Sequence, residues 1–130
     1  MAEAEKAVID RLLADATVDS VMGDRVYFTD SPQPVTMPFA VLTRIDAPRV
    51  HSMTGPSGLA AARIQVDCYA KTASTARAAA AAIRVSLDGF RGLQSGINVQ
   101  GVLLLDEMDG YSEDSESRRV TQDYRVWYRE

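Results

Sequence analysis

At 130 residues the chain has room for one compact core, so a single domain over residues 1–130 is expected. Hydrophobic residues make up 46% and charged residues 25%, which excludes a disordered chain. Eighteen acidic against fourteen basic residues leave a net charge of −4, and there is one cysteine; a strongly basic nucleic-acid binder and an internal disulfide framework are both excluded.

Met1-Ala2-Glu3-Ala4-Glu5-Lys6 is acidic and lacks the basic start and apolar run of a signal peptide. No stretch approaches the ~18 apolar residues of a membrane helix. Residues 3 to 16 read as a helix, with Val8, Ile9, Leu12, Leu13 and Ala16 at helical spacing. Glu5, Lys6, Asp10, Arg11 and Asp15 fill the other side. A short helical turn over Val18 to Met22 follows, with Thr17 as its cap and Gly23 as its stop.

Arg25 to Phe28 reads as a brief strand. Three of the five prolines then fall between Asp30 and Pro38, an extended connection across the surface. Residues 39 to 47 alternate as a strand, with Phe39, Val41, Thr43 and Ile45 on one face. The next strand runs from about Leu59 to Ala70, with Ile64, Val66 and Cys68 on one face. Between them, 48–58 carries turn chemistry over Thr54-Gly55-Pro56-Ser57-Gly58 and forms a long hairpin tip of about ten residues.

Residues 74 to 88 form a second helix, capped by Thr72 or Ser74 and ended by Gly89. Its stripe is Ala76, Ala79, Ala80, Ile83 and Leu87. The alanine run at 78–82 suits a close approach to a sheet. Strands at 97–106 and 120–129 finish the chain, separated by an acidic loop from Asp106 to Glu116. The expected fold is α+β: one antiparallel sheet of about four strands plus a short extra strand, with two helices on one face.

Catalytic signatures are sparse. The sequence carries no phosphate-cradling glycine loop, no dinucleotide fingerprint and no nucleophile elbow. His51 is the only histidine, which excludes a multi-histidine metal site. Cys68 sits mid-strand among apolar residues, the setting of an inert thiol. The spacing of Asp106 and Gly110 does not meet that of a calcium loop. No cofactor and no metal are expected. Arg49, His51 and Met53 on the tip, and Arg125 and Trp127 on the last strand, are the candidate interface residues, because Arg and Trp are favoured where proteins meet.

Several segments taken together are similar to a known family. They are Ile9-Asp10-Arg11-Leu12-Leu13-Ala14-Asp15, Val21-Met22-Gly23-Asp24-Arg25-Val26-Tyr27 and Met37-Pro38-Phe39-Ala40-Val41-Leu42. Arg49 to Leu59, Ala62 to Ala70, Ile83 to Phe90 and Tyr124-Arg125-Val126-Trp127-Tyr128 follow in order. This succession resembles the tail-completion family of long-tailed bacteriophages, with relatives in prophages and gene transfer agents. The resemblance implies a tail terminator, or head–tail joining protein. Such a protein caps the head-proximal end of the tail tube as a hexameric ring and docks onto the neck. It is structural and non-catalytic, found in the virion and, before assembly, in the host cytoplasm. Its implied partners are further copies of itself, the tail tube protein and the neck or head-completion protein, with DNA passing through the lumen and no membrane involved. A neck adaptor or other minor tail protein is the alternative within the same machinery. A nucleic-acid module using the Arg125–Trp127–Arg129 face and a small enzyme with His51 as general base are the alternatives outside it.

Overall fold

A computed structural model describes residues 3–29, 36–112 and 117–129. The elements run α1 (Glu3–Ala14), α2 (Ala16–Met22), β1 (Val26–Phe28), β2 (Phe39–Asp46), β3 (Arg49–Ser52), β4 (Gly55–Ala70), α3 (Ala73–Leu87), β5 (Gly92–Gln94), β6 (Ile97–Ser112) and β7 (Ser117–Arg129). Among the described residues the sheet has seven strands, in the order β1-β2-β4-β7-β6-β5, with β3 also paired to β4. The α+β class holds, with three corrections to its details.

The sheet is not wholly antiparallel: β1 runs parallel to β2, with Val26 opposite Ala40 and Phe28 opposite Leu42. A long return between neighbouring strands, rather than a hairpin turn, permits this direction. The described residues form three helices, because α2 is a full helix. Its cap is Asp15 rather than Thr17: the Asp15 carboxylate accepts from Thr17 N–H at 2.8 Å and Val18 N–H at 3.1 Å. A carboxylate satisfies two of the amides left open at a helix start, and its charge suits the dipole there.

Third, two short strands join the sheet. β3 turns most of the expected 48–58 tip into paired backbone, Arg49 opposite Ala60 and Ser52 opposite Gly55. Gly58, at φ +81°, supplies the left-handed residue that lets β4 continue past the irregularity at Val50–His51. β5 pairs with the start of β6 through a tight turn at Ser95-Gly96, both at positive φ. The expected acidic loop is likewise mostly strand. β6 and β7 pair as far as Ser112 opposite Ser117. Glu113, Asp114 and Glu116 lie outside the described residues, as do positions 30–35 of the proline-rich connection.

All three helices cover one face. Ala60, Ala62, Ile64, Val66, Cys68 and Ala70 of β4 are buried beneath them, with Val120, Gln122, Tyr124, Val126 and Tyr128 of β7. α3 presents Ala76, Ala79, Ala80, Ile83 and Leu87 to this layer, the stripe expected from its spacing. Alanines on both helix and strand shorten the distance between the layers. α3 ends where Gly89, at φ +82°, turns its N–H onto the Val102 carbonyl at 2.8 Å. Phe90 then lies under the Arg11 guanidinium, 3.7 Å from ring centroid to Cζ, while Arg11 Nε donates to the Ser86 carbonyl at 2.7 Å. That contact ties α1 to the end of α3.

Two residues of α1 depart from their expected sides. Glu5 is completely buried and Leu13 is 42% exposed. The stripe is rotated toward Ala4, Val8 and Leu12, so Glu5 faces the sheet and meets Arg44 of β2, Nε to Oε1 3.0 Å. The contact is an ion pair without hydrogen-bond geometry. Arg44 follows Ala40 and Leu42 on the helix-covered side of β2, which is why its guanidinium reaches α1.

Candidate assembly surface

Among the described residues the other face of the sheet carries no helix. Its rows alternate with the buried set: Leu59, Ala61, Arg63, Gln65, Asp67 and Tyr69 on β4, and Thr121, Asp123, Arg125, Trp127 and Arg129 on β7. Cross-strand pairs set the pattern, Ala61 opposite Trp127, Arg63 opposite Arg125 and Asp67 opposite Thr121.

Like charges at Arg63 and Arg125 would repel across a ladder. Two acids separate them. Arg63 Nη2 meets Asp123 Oδ2 at 2.9 Å, and Arg125 Nη1 meets Asp46 Oδ1 at 3.7 Å while donating to the Ala61 carbonyl at 3.2 Å. Asp67 accepts from Thr121 Oγ1 at 2.6 Å and from Gln65 Nε2 at 3.1 Å. The middle of the open face is therefore a polar network. Within it, Arg63 Nε and Asp123 Oδ1 are buried without hydrogen-bond partners. Beside it, Phe39 stacks on Tyr69 with centroids 4.8 Å apart, and Tyr27 tilts against Phe39 at 6.3 Å.

The sequence candidates fall into two groups at the same end of the sheet. Arg49 and His51 lie on β3, and Met53 is fully exposed in the turn beyond it. Trp127 is half-buried on the open face of β7, and Arg125 is engaged by Asp46 and Ala61. β4 lies between the groups: Val50 is opposite Leu59, which is opposite Arg129.

Sequence reasoning missed the exposed apolar side chains of the outer strands. Leu103, Leu105, Met108 and Tyr111 on β6 and Ile45 on β2 are each about half exposed. Beyond Leu104 the residues lose their alternation of apolar and polar, so this half of β6 read as a loop. The irregularity at Leu104–Asp106 is the cause, since an extra residue shifts every later side chain to the other face.

A pocket of about 310 Å³ lies between the start of α3 and the far end of β6–β7. Its charges are largely met from within. Arg77 Nη2 pairs with Asp109 at 2.6 Å, and the Arg118 guanidinium lies 4.3 Å from the Tyr111 ring centroid. Cys68 is buried, and burial pushes its thiol up to about 12, which leaves it protonated at neutral pH. Among the described residues no group of three or more His, Cys, Asp and Glu is placed to hold a metal, and no helix is long and apolar enough to cross a membrane.

One sheet, helices on a single face, a charged and aromatic opposite face and apolar outer strands define a small α+β building block for assembly. The chain belongs to the family described as tail completion protein gp17, whose model matches residues 6–129. It is similar to a chain in a structure described as the virion of a native gene transfer agent particle. That similarity has a TM-score of 0.81 and 25% identity, covering 95% of this chain and 92% of that one. No curated protein matches it in sequence. The protein is thus a structural tail component of a bacteriophage or gene transfer agent virion, built to assemble with other tail and head components.

Proposed function

We propose that this chain, acting as one tail-terminator-like domain over residues 1–130, caps the head-proximal end of the tail tube as a hexameric ring and joins it to the neck. The family match over 6–129 carries this reading. The surface supports it in two ways. The open sheet face and outer strands offer different patches on different sides, as a closed ring requires. The net charge of −4 suits a channel that DNA must traverse without being held. The tail tube protein and the neck protein are the partners on either side. The β3 turn with Arg49, His51 and Met53, together with Arg125 and Trp127, supplies contacts to them or to the neighbouring subunit.

The test is mass by light scattering across concentration, followed by imaging, with and without purified tail tubes. Six times the 14.2 kDa chain mass with ring-shaped particles, or recruitment to one end of the tubes, is the expected result. A monomer that tubes fail to recruit sinks the terminator role and favours a neck adaptor of the same machinery.

A further inference from the structure

We infer that the outer edge of β6, from Glu107 to Tyr111, pairs with the β2–β3 edge, from Arg44 to Val50, of a second copy of this chain, so that neighbouring subunits share one continuous sheet. The inference rests on the ring reading above and names the surfaces that would close it.

The first observation concerns backbone groups. β5 covers only Ile97–Val99 of β6. The end of α3 covers the next stretch, where Gly89 N–H donates to the Val102 carbonyl at 2.8 Å and Leu104 N–H donates to Asp88 at 3.0 Å. These bonds show that Val102 and Leu104 turn their backbone outward. In an antiparallel ladder the outward set alternates. Past the irregularity at Leu104–Asp106 it becomes Glu107, Asp109 and Tyr111, whose partners on β7 are Gln122, Val120 and Arg118. Among the described residues no strand or helix end covers this segment.

A matching edge lies on the opposite side of the sheet. β1 covers β2 only to Leu42, and β3 pairs only with β4 among the described residues. The Pro48 carbonyl accepts from Ala61 N–H at 3.0 Å, so Pro48 faces β4 and its missing N–H costs the outer edge nothing. The Ala47 carbonyl faces outward and accepts from Arg49 Nη1. Arg49 thus guards the edge in the free chain, and pairing replaces this bond with a ladder bond.

Side chains agree with the backbone. The β6 edge carries Asp106, Glu107 and Asp109, beside exposed Leu105, Met108 and Tyr111. The facing edge carries Arg44 and Arg49, with Asp46 as its one acid, beside exposed Ile45 and Val50. Arg77 offsets Asp109 within the subunit, and Glu5 offsets Arg44. Two β6 edges paired about a two-fold axis at Asp109 would set acid against acid, which is destabilising. Acidic edge against basic edge is favoured. Because the two edges are different surfaces, the contact is heterologous and repeats until it closes.

Cross-linking tests the inference. Val50 is 38% and Leu105 49% exposed, so V50C and L105C leave the core intact, and buried Cys68 does not compete. A short bis-maleimide is applied to the oligomer, or to tube-bound protein if the free chain is monomeric. The V50C/L105C chain is expected to give a ladder of covalent multimers, and L105C alone none. Dimers from L105C alone, or an oligomer without the 50–105 link, overturn the edge pairing while leaving the ring intact. Loss of both oligomer and tube binding by wild type removes the ring reading itself. If the variants fail to fold, hydrogen exchange on wild type decides: the amides of Asp109 and Tyr111 slow on assembly, and unchanged exchange overturns the inference.

Discussion

Cys68 shows how far one side chain's surroundings fix its chemistry. It lies on the helix-covered face of β4 with no exposed surface, and burial raises its thiol to about 12. The native protein is expected to resist alkylation by N-ethylmaleimide at neutral pH and to react fully in denaturant. Rapid reaction of the folded chain, followed by mass spectrometry, would show that β4 opens locally. Asp15 is a second case. Hydrogen bonds, foremost from Val18 N–H, hold its carboxyl below the usual carboxylate range. D15A should cost about 1 kcal/mol in urea unfolding, the usual worth of such a cap. A depressed acid stabilises above its unfolded value of about 3.9 and loses that contribution as pH falls through its lower folded value. The gap between wild type and D15A should therefore close below about pH 4, and a gap that persists there would assign it to something other than the charged cap. Glu5 is the costly residue. R44A leaves a fully buried carboxylate without its cation, a loss of about 3 kcal/mol. The paired replacement E5L/R44M should recover most of it, and failure to recover would show that the pair sets the packing of α1.

Elements differ in how much of them the sequence discloses. β4 and β7 have helices on one face and a polar network on the other, so their side chains alternate cleanly and their cores are legible from Ile64-Val66-Cys68 and Val120 to Tyr128. The stripe of α3 is legible for the same reason. What escaped has little core to reveal it. β3 and β5 are short edge strands of three or four residues, held by ladder bonds rather than burial. Only the Ser95-Gly96 pair signals the β5 turn. The distal half of β6 is exposed on both faces, so its acids read as a solvated loop. Glu5 reads as an outward residue because charge is expected outside; its partner, thirty-nine positions away on β2, is a tertiary fact. The candidate surface suffered in the same way, since the edges that define it are backbone features. At this scale the β3–β4 turn can be tested. Replacing residues 51–57 by a tight Asn-Gly turn removes His51 and Met53 but keeps the pairing of Arg49 with Ala60. Circular dichroism and melting should change little, while joining of heads to tails is lost. Normal joining by the folded variant would show that the turn is merely a surface loop.

For the whole molecule, the issue is how a chain with a net charge of −4 recognises copies of itself. Uniform acidity would keep copies apart, so a self-contact must use an uneven distribution of charge. The acids of β6 and the basic residues of β2–β3 provide one, on opposite sides of a single sheet. A charge-swapped pair of variants follows from this arrangement. R49E/V50E makes both edges acidic, and L105K/D106K/M108K, whose three lysines outnumber Glu107 and Asp109, makes both basic; all five positions are exposed. Each variant alone should fold and remain monomeric, because every seam would place like charge against like. Mixed in equal amounts, every seam is complementary again: the wild-type seam in one direction and the swapped seam in the other. Rings should return with strict alternation, which closes only for an even number of subunits, and a hexamer meets that condition. Light scattering of the mixture, on tail tubes if wild type needs them, is expected to match wild type. A two-fold contact through β6 predicts something else, since R49E/V50E retains an unaltered β6 and would associate alone. Recovery in the mixture, with neither variant assembling by itself, is a result that a two-fold contact through β6 does not produce.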